Sequence, residues 1–213
     1  MGLFLKKKLK DEADISIWEI TESEDELLNG TSVPNNELEE IEIAKSPLRR
    51  KEMLAERALI NNIFGDKVYL GHHENESPFI QNSPIHISIS HTSRFVAIIT
   101  HPTENVGIDI ERLNRPFDSV EKKALSPEEI EDLSDDEKER HLQLAIYWCS
   151  KEALYKRVGR HNIDFAKQFK IERFSPHEKG ELKAIYTDED GNERFFDLEY
   201  QTVDNHMMVW QIG

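Results

Sequence analysis

The chain has 213 residues, 27 Lys and Arg against 42 Asp and Glu, and a net charge of -15. That balance argues against nucleic acid and anionic membranes as partners, since both are bound through clustered cations. One cysteine excludes an internal disulfide, and no stretch approaches the roughly 18 apolar residues of a membrane helix. The start, "MGLFLKKKLKDEAD", lacks the apolar core of a signal peptide, so a cytoplasmic protein is expected.

In chain order, "ISIWEI" (15–20) alternates as a first strand. "ESEDELLNG" (22–30) reads as a short helix ended by Gly30. Residues 34–65 are helical in character and are divided by Pro47, whose ring does not fit inside a helix. In the second part Met53, Leu54, Leu59, Ile60 and Ile63 give an apolar face, and Gly65 ends it. Residues 66–84 read as strand and loop. In 85–100, Ile85, Ile87 and Ile89 alternate with His86, Ser88 and Ser90. The turn "HTSR" and "FVAIIT" follow, so two antiparallel strands are expected.

"VGIDIE" (106–111) is a further strand, with Val106, Ile108 and Ile110 on one face and Gly107, Asp109 and Glu111 on the other. Residues 126–159 read as two helices. The first has Ser126 as N-cap, Pro127 at its first position and Glu129 three residues after the cap. The second carries Leu142, Ala145, Ile146, Cys149 and Ala153 on one face. Residues 169–212 alternate as four strands, with "DEDGN" (188–192) as a hairpin turn. The element order suggests an α+β fold of two similar halves, 1–105 and 106–213.

Asp109 and Glu111 share a strand face about 7 Å apart, and like charges so placed need an offset. Carboxylates of this kind can ligate a hard dication together with waters and substrate phosphate. Glu152 and Lys156, at i and i+4 in "WCSKEALYK", share a helix face. An acid beside a base is what phosphoryl transfer uses. Spacing alone also allows an exposed polar strand face and an ordinary surface ion pair. Ser90 and His91 end a strand, where a hydroxyl and an imidazole can bind phosphate oxygens. Arg49, Arg50, Lys51 and Arg57 form a basic cluster in an acidic chain, a candidate anion site. His72 and His73 read as solvated loop residues, and Cys149 as packing.

"ISISHT", "VGIDIE" and "WCSKEALYK", in that order, resemble the 4′-phosphopantetheinyl transferases, in particular the larger pseudo-dimeric type that modifies carrier proteins. The "RRKEMLAER" helix is similar to the basic region that precedes these motifs in the family. The resemblance implies two α+β halves related by a pseudo-twofold axis, with the active site in the cleft between them. It implies a holo-[acyl-carrier-protein] synthase activity of fatty acid or secondary metabolite biosynthesis. The 4′-phosphopantetheine arm of coenzyme A, the co-substrate, would pass to a serine of an apo acyl or peptidyl carrier protein, with release of 3′,5′-ADP.

Asp109, Glu111 and Glu152 would hold Mg²⁺, or Mn²⁺ with the same oxygen ligands. Glu152 and Lys156 would be catalytic. Arg49, Arg50, Arg57, Ser90, His91 and Lys156 would bind coenzyme A, and Glu129 would lie near the metal. A monomer is expected to suffice. The chain departs from the family where Ser77 stands in place of a phosphate-binding lysine, which leaves a non-catalytic coenzyme A or carrier-protein binding relative as the alternative.

Overall fold

The computed structural model describes residues 2–213. The chain divides into two compact units, Met1–Glu104 and Asn105–Gly213. Each is a mixed α+β unit built on one antiparallel sheet.

The first unit contains, in chain order, β1 (Leu3–Lys8), β2 (Asp14–Glu19), α1 (Glu24–Gly30), α2 (Asn35–Ile43), α3 (Pro47–Phe64), β3 (Leu70–His72), β4 (Pro78–Ile80), β5 (His86–His91) and β6 (Phe95–His101). Its six strands lie in the order β1-β2-β6-β5-β4-β3. Helix α1 starts with a capping box between Ser23 and Glu26. Pro47 does separate α2 from α3, as the first residue of α3 behind the Ser46 N-cap. Gly65 closes α3 with φ of 87°, a conformation that favours glycine. Leu54, Leu59 and Ile60 of α3 are buried with Ile80, Ile87, Val96 and Ile98 of the sheet.

Strand β1 was not foreseen. "LFLKKK" has no alternation, and its extended form comes from antiparallel pairing with β2, Leu5 opposite Ile17 and Lys7 opposite Ile15. Gly30 is the last residue of α1 and not its stop, since the chain leaves the helix at Thr31.

The second unit contains β7 (Val106–Arg112), α4 (Asp118–Ala124), α5 (Pro127–Glu131), α6 (Glu137–Val158), α7 (Phe165–Gln168), β8 (Phe169–Ile171), β9 (Lys179–Thr187), β10 (Glu193–Val203) and β11 (His206–Ile212). The sheet order is β7-β11-β10-β9-β8. The Asp204-Asn205 turn between β10 and β11 has positive φ at both residues, the form that matches strand twist. This turn sets β11 beside β7, with Val209 opposite Asp109 and Met207 opposite Glu111. The Ser126 capping box is present. Helices α4 and α7 were not foreseen; α7 is only four residues, too short for a periodic signal. Ala145, Ile146, Cys149 and Ala153 of α6 lie in the core with Met207 and Val209. Among the described residues no helix is long and apolar enough to cross a membrane.

Candidate active site

The site in the second unit begins with a glycine. A Cβ on Gly107 would come within 2.0 Å of the Ala153 carbonyl oxygen. The bare backbone of β7 therefore lets α6 lie directly on the strand. Residues directly opposite in an antiparallel pair share a face. Asp109 and Glu111 thus share the face of Val209 and Met207, which pack with Cys149 and Ala153 of α6. The acids are turned to the helix. Asp109 is only 5% exposed, so the exposed polar face that spacing allowed is not what forms.

Lys156 reaches back from the last turns of α6. Its Nζ donates to Asp109 Oδ1 at 2.9 Å and to the Ile108 carbonyl at 3.0 Å. Glu111 is held by two residues that sequence reasoning did not single out. Arg115 Nη1 and Trp148 Nε1 both donate to Glu111 Oε1, the latter at 3.3 Å. Arg115 also lies over the rings of Phe117 and Trp148, at 4.7 and 5.8 Å from their centroids. Its i+4 spacing from Glu111 was the one available signal.

Glu152 stands four residues before Lys156 and three after Cys149. Burial, followed by the charge of Asp109, pushes its carboxyl up to about 7; Glu111 adds to this, while Lys156 and Arg115 oppose it. Burial also holds the Cys149 thiol well above its ordinary value, helped by Asp109 and Glu111, so Cys149 is a packing residue and not a nucleophile.

Three carboxylates and two cations thus meet where α6 crosses β7. Among the described residues no three acid, His or Cys side chains form a ready-made metal cage. Lys156 and Arg115 act as the resident counter-charges. The donor set nevertheless suits a hard dication. The oxygens it offers are all carboxylate oxygens, and Mg²⁺ is commonly held by one or two carboxylates with waters and substrate phosphate completing the shell.

Glu129 is not part of this cluster. Its carboxylate accepts from Ser126 N, Ile171 N and the Lys151 Nζ, at 2.8, 2.8 and 2.6 Å. Lys151 is fully buried and also donates to the carbonyls of Ala124, Phe165 and Phe169. The adjacent Lys and Glu of "SKEA" therefore diverge: Lys151 locks α4, α5, α7 and β8 onto α6, and Glu152 serves the acid cluster.

The first unit holds the remaining candidates. Arg49 Nη1 donates to His91 Nε2 at 2.7 Å, which leaves the His91 proton on Nδ1, turned to Glu52 at 3.5 Å. Ser90, beside His91, is buried. Arg49, His91, His72, Glu56, Arg57 and Glu76 are among the residues lining a cavity of about 270 Å³. Burial is the main cause that lifts the Glu56 carboxyl to about 7. Two arginines expected to bind a ligand are committed elsewhere. Arg57 is 1% exposed and grips Glu37 through Nε and Nη2, with Nη1 on the Val68 carbonyl. Arg50 pairs with Glu24 and the Ala44 carbonyl. Both are cross-links between helices, a role that residue type alone does not reveal. Ser77 donates to Asn75 Oδ1 at 2.7 Å within a turn. His72 and His73 are exposed.

A family model described as the 4′-phosphopantetheinyl transferase superfamily matches residues 105–207. A search of curated proteins finds no match.

Proposed function

Residues 105–207 form a domain of the 4′-phosphopantetheinyl transferase superfamily, and from this premise we propose that the protein moves the 4′-phosphopantetheine arm of coenzyme A onto a serine of an apo acyl or peptidyl carrier protein. The observation that carries this reading is the cluster of Asp109, Glu111 and Glu152 with Lys156 on one helix–strand contact. It combines acids able to take a cation, an acid poised to take a proton and a base able to meet phosphate.

Asp109 and Glu111, with Glu152 beside them, are the groups that would hold Mg²⁺ or Mn²⁺. When bound, the dication would supply Lewis-acid neutralisation of charge on the diphosphate. Lys156, now on Asp109, would turn its ammonium to a phosphate oxygen once that acid has another counter-charge. Glu152, on the same helix as Lys156 and beside the two acids, is the carboxylate placed to accept the serine proton. The serine oxygen forms its bond to the β-phosphorus as the bond to the bridging oxygen breaks. The proton passes to Glu152 and 3′,5′-ADP departs. Arg49, Ser90 and His91 are the proposed phosphate contacts of the first unit; Arg50 and Arg57, tied to carboxylates, are not.

A direct test incubates the protein with coenzyme A, Mg²⁺ and a panel of apo carrier proteins and follows the carrier mass. Addition of the phosphopantetheine arm is expected, with its loss in Asp109→Ala. Coenzyme A binding without transfer to any carrier would instead favour a non-catalytic relative. The specific observation on that side is that protein cations already neutralise both Asp109 and Glu111.

A further inference from the structure

Three acids of the chain are held tightly by their cations. Glu129 meets Lys151 at 2.6 Å, Asp109 meets Lys156 at 2.9 Å, and Glu37 takes Arg57 on both its oxygens. Glu52 of α3 differs. It is 9% exposed, yet its cations stand off. Its Oε2 lies 3.6 Å from Arg49 Nη1 and 3.5 Å from His91 Nδ1. A buried carboxylate so loosely paired costs stability, and an apolar residue of similar size would cost less. Packing therefore does not account for Glu52, and both of its partners are proposed phosphate contacts.

The three groups come from two elements. Arg49 and Glu52 are one turn apart on α3. His91 is the last residue of β5, opposite Val96 of β6. The turn after it is closed by Thr92, whose Oγ1 accepts from Arg94 N at 3.2 Å and from Phe95 N at 3.0 Å. Arg49 has only N–H groups to offer, so His91 Nε2 accepts its bond and carries no proton. In that state the nitrogen has nothing to donate to a phosphate. To bind one, His91 must release Arg49 and gain a proton at Nε2. The imidazolium so formed needs a counter-charge at Nδ1, and Glu52 is the carboxylate on that side.

We propose that Glu52 is a positioning residue for phosphate binding, supplying the charge that lets His91 exchange its bond from Arg49 for a proton and donate to coenzyme A. This deepens the transferase reading and rests on it for the identity of the anion. A phosphate oxygen draws Arg49 Nη1 off the ring. His91 Nε2 takes one proton from solvent and donates it to a phosphate oxygen. Glu52 exchanges Arg49 for the imidazolium, so its charge is matched in both states. The other ionisable groups facing this corner line the cavity: Glu56 and Arg57 of α3, Glu37 and Glu40 of α2, His72 of β3, and Glu76 just before β4. Arg57 neutralises Glu37, and Arg94 beyond the turn pairs with Glu19. Glu56 is the main rival for the proton, since burial already lifts its carboxyl to about 7.

The test titrates coenzyme A into the full chain by calorimetry at about pH 8, where an ordinary imidazole is neutral. Buffers of different ionisation enthalpy report proton uptake together with affinity. Wild type is expected to take up about one proton on binding. Glu52→Gln keeps the shape and removes the charge. It should bind coenzyme A about tenfold more weakly and lose most of the uptake. His91→Asn should lose the uptake as well, and the double variant should bind no more weakly than the weaker single variant. The His91 side chain is 33% exposed, so its replacement tests the proton even if Glu52→Gln fails to fold. Uptake that persists in His91→Asn, or that is lost in Glu56→Gln and kept in Glu52→Gln, overturns the proposal. A Glu52→Gln protein with altered unfolding and full uptake makes Glu52 a structural residue only. Tight wild-type binding without uptake overturns the proton exchange and leaves the transferase reading intact. Failure of the wild type to bind coenzyme A at all removes that reading, and this inference with it.

Discussion

The backbone of Gly107 lies against Ala153, so close that a Cβ there would sit 2.0 Å from the Ala153 carbonyl oxygen and 2.9 Å from its carbon. Neither atom belongs to a flexible side chain, so α6 would have to lift from β7. Lifting it separates Asp109 from Glu152 and Lys156. Gly107→Ala should destabilise the protein by about 2–3 kcal/mol, the upper range for overpacking. Transfer should drop by about 100-fold, because small displacements of catalytic groups are costly. Chemical denaturation and a carrier-loading assay on the same variant check both. Unchanged transfer would show that the helix–strand contact does not set the site.

Glu152 gives the protein a pH dependence with a defined sign. Its carboxyl is raised from 4.5 to about 7 on folding. Between those values the folded chain holds more protons than the unfolded chain, so stability falls as pH rises through this window and levels off above about 7. Glu152→Gln removes that part of the slope. In dication-free buffer the variant should gain about 2 kcal/mol over wild type at pH 8, after allowance for partial exposure, and little at pH 4.5. Glu56, also lifted to about 7, keeps a residual slope in the variant. Urea denaturation at several pH values reads the difference. Parallel curves for the two proteins would place Glu152 in water and away from the other acids.

Local chemistry made much of this legible in the sequence. Pro47 and the Ser126–Glu129 capping box are decided within a few residues, and the structure has both where the pattern put them. The strand alternation of β7 was also readable, but not which face is covered. That depends on α6, some 40 residues later, and on what Gly107 permits. The acids could be named from spacing, whereas their counter-charge could not be read in full. Arg115 reaches Glu111 from a loop held by the buried Phe117 ring against His141, at 5.3 Å. Arg49 and Arg57 look alike in "RRKEMLAER", yet one faces a histidine beside a cavity and the other is sealed against Glu37. Strand β1 was invisible because its partner, not its pattern, extends it.

Lys151 and Glu129 form a buried pair whose removal should be asymmetric. Burial lowers the Lys151 pKa and Glu129 opposes that shift. Lys151→Met leaves the Glu129 carboxylate buried beside only two backbone donors, Ser126 N and Ile171 N. The expected loss is about 3–5 kcal/mol, typical of an orphaned buried charge. Adding Glu129→Gln removes that charge while keeping an acceptor oxygen, and should recover a large part of the loss. Denaturation of wild type, the two single variants and the double variant gives the coupling directly. Additive losses would mean that the two groups act independently.

The two arginines of α3 should separate stability from ligand binding. Arg57 is 1% exposed and pairs with Glu37 of α2. Arg57→Ala therefore strands Glu37 and frees the Val68 carbonyl, at a cost of about 3 kcal/mol. If the variant stays folded at low temperature, its coenzyme A KM should change little. Arg49 is 46% exposed at its side chain and touches His91 and Glu52. Arg49→Ala should leave unfolding within about 0.5 kcal/mol of wild type, as for other exposed pairs. Its coenzyme A KM should rise by about tenfold or more through the loss of one charge-assisted phosphate contact. Calorimetric titration of coenzyme A into each variant provides a second readout that does not require turnover. A raised KM in Arg57→Ala with Arg49→Ala unaffected would reverse the assignment, making the buried guanidinium the ligand contact.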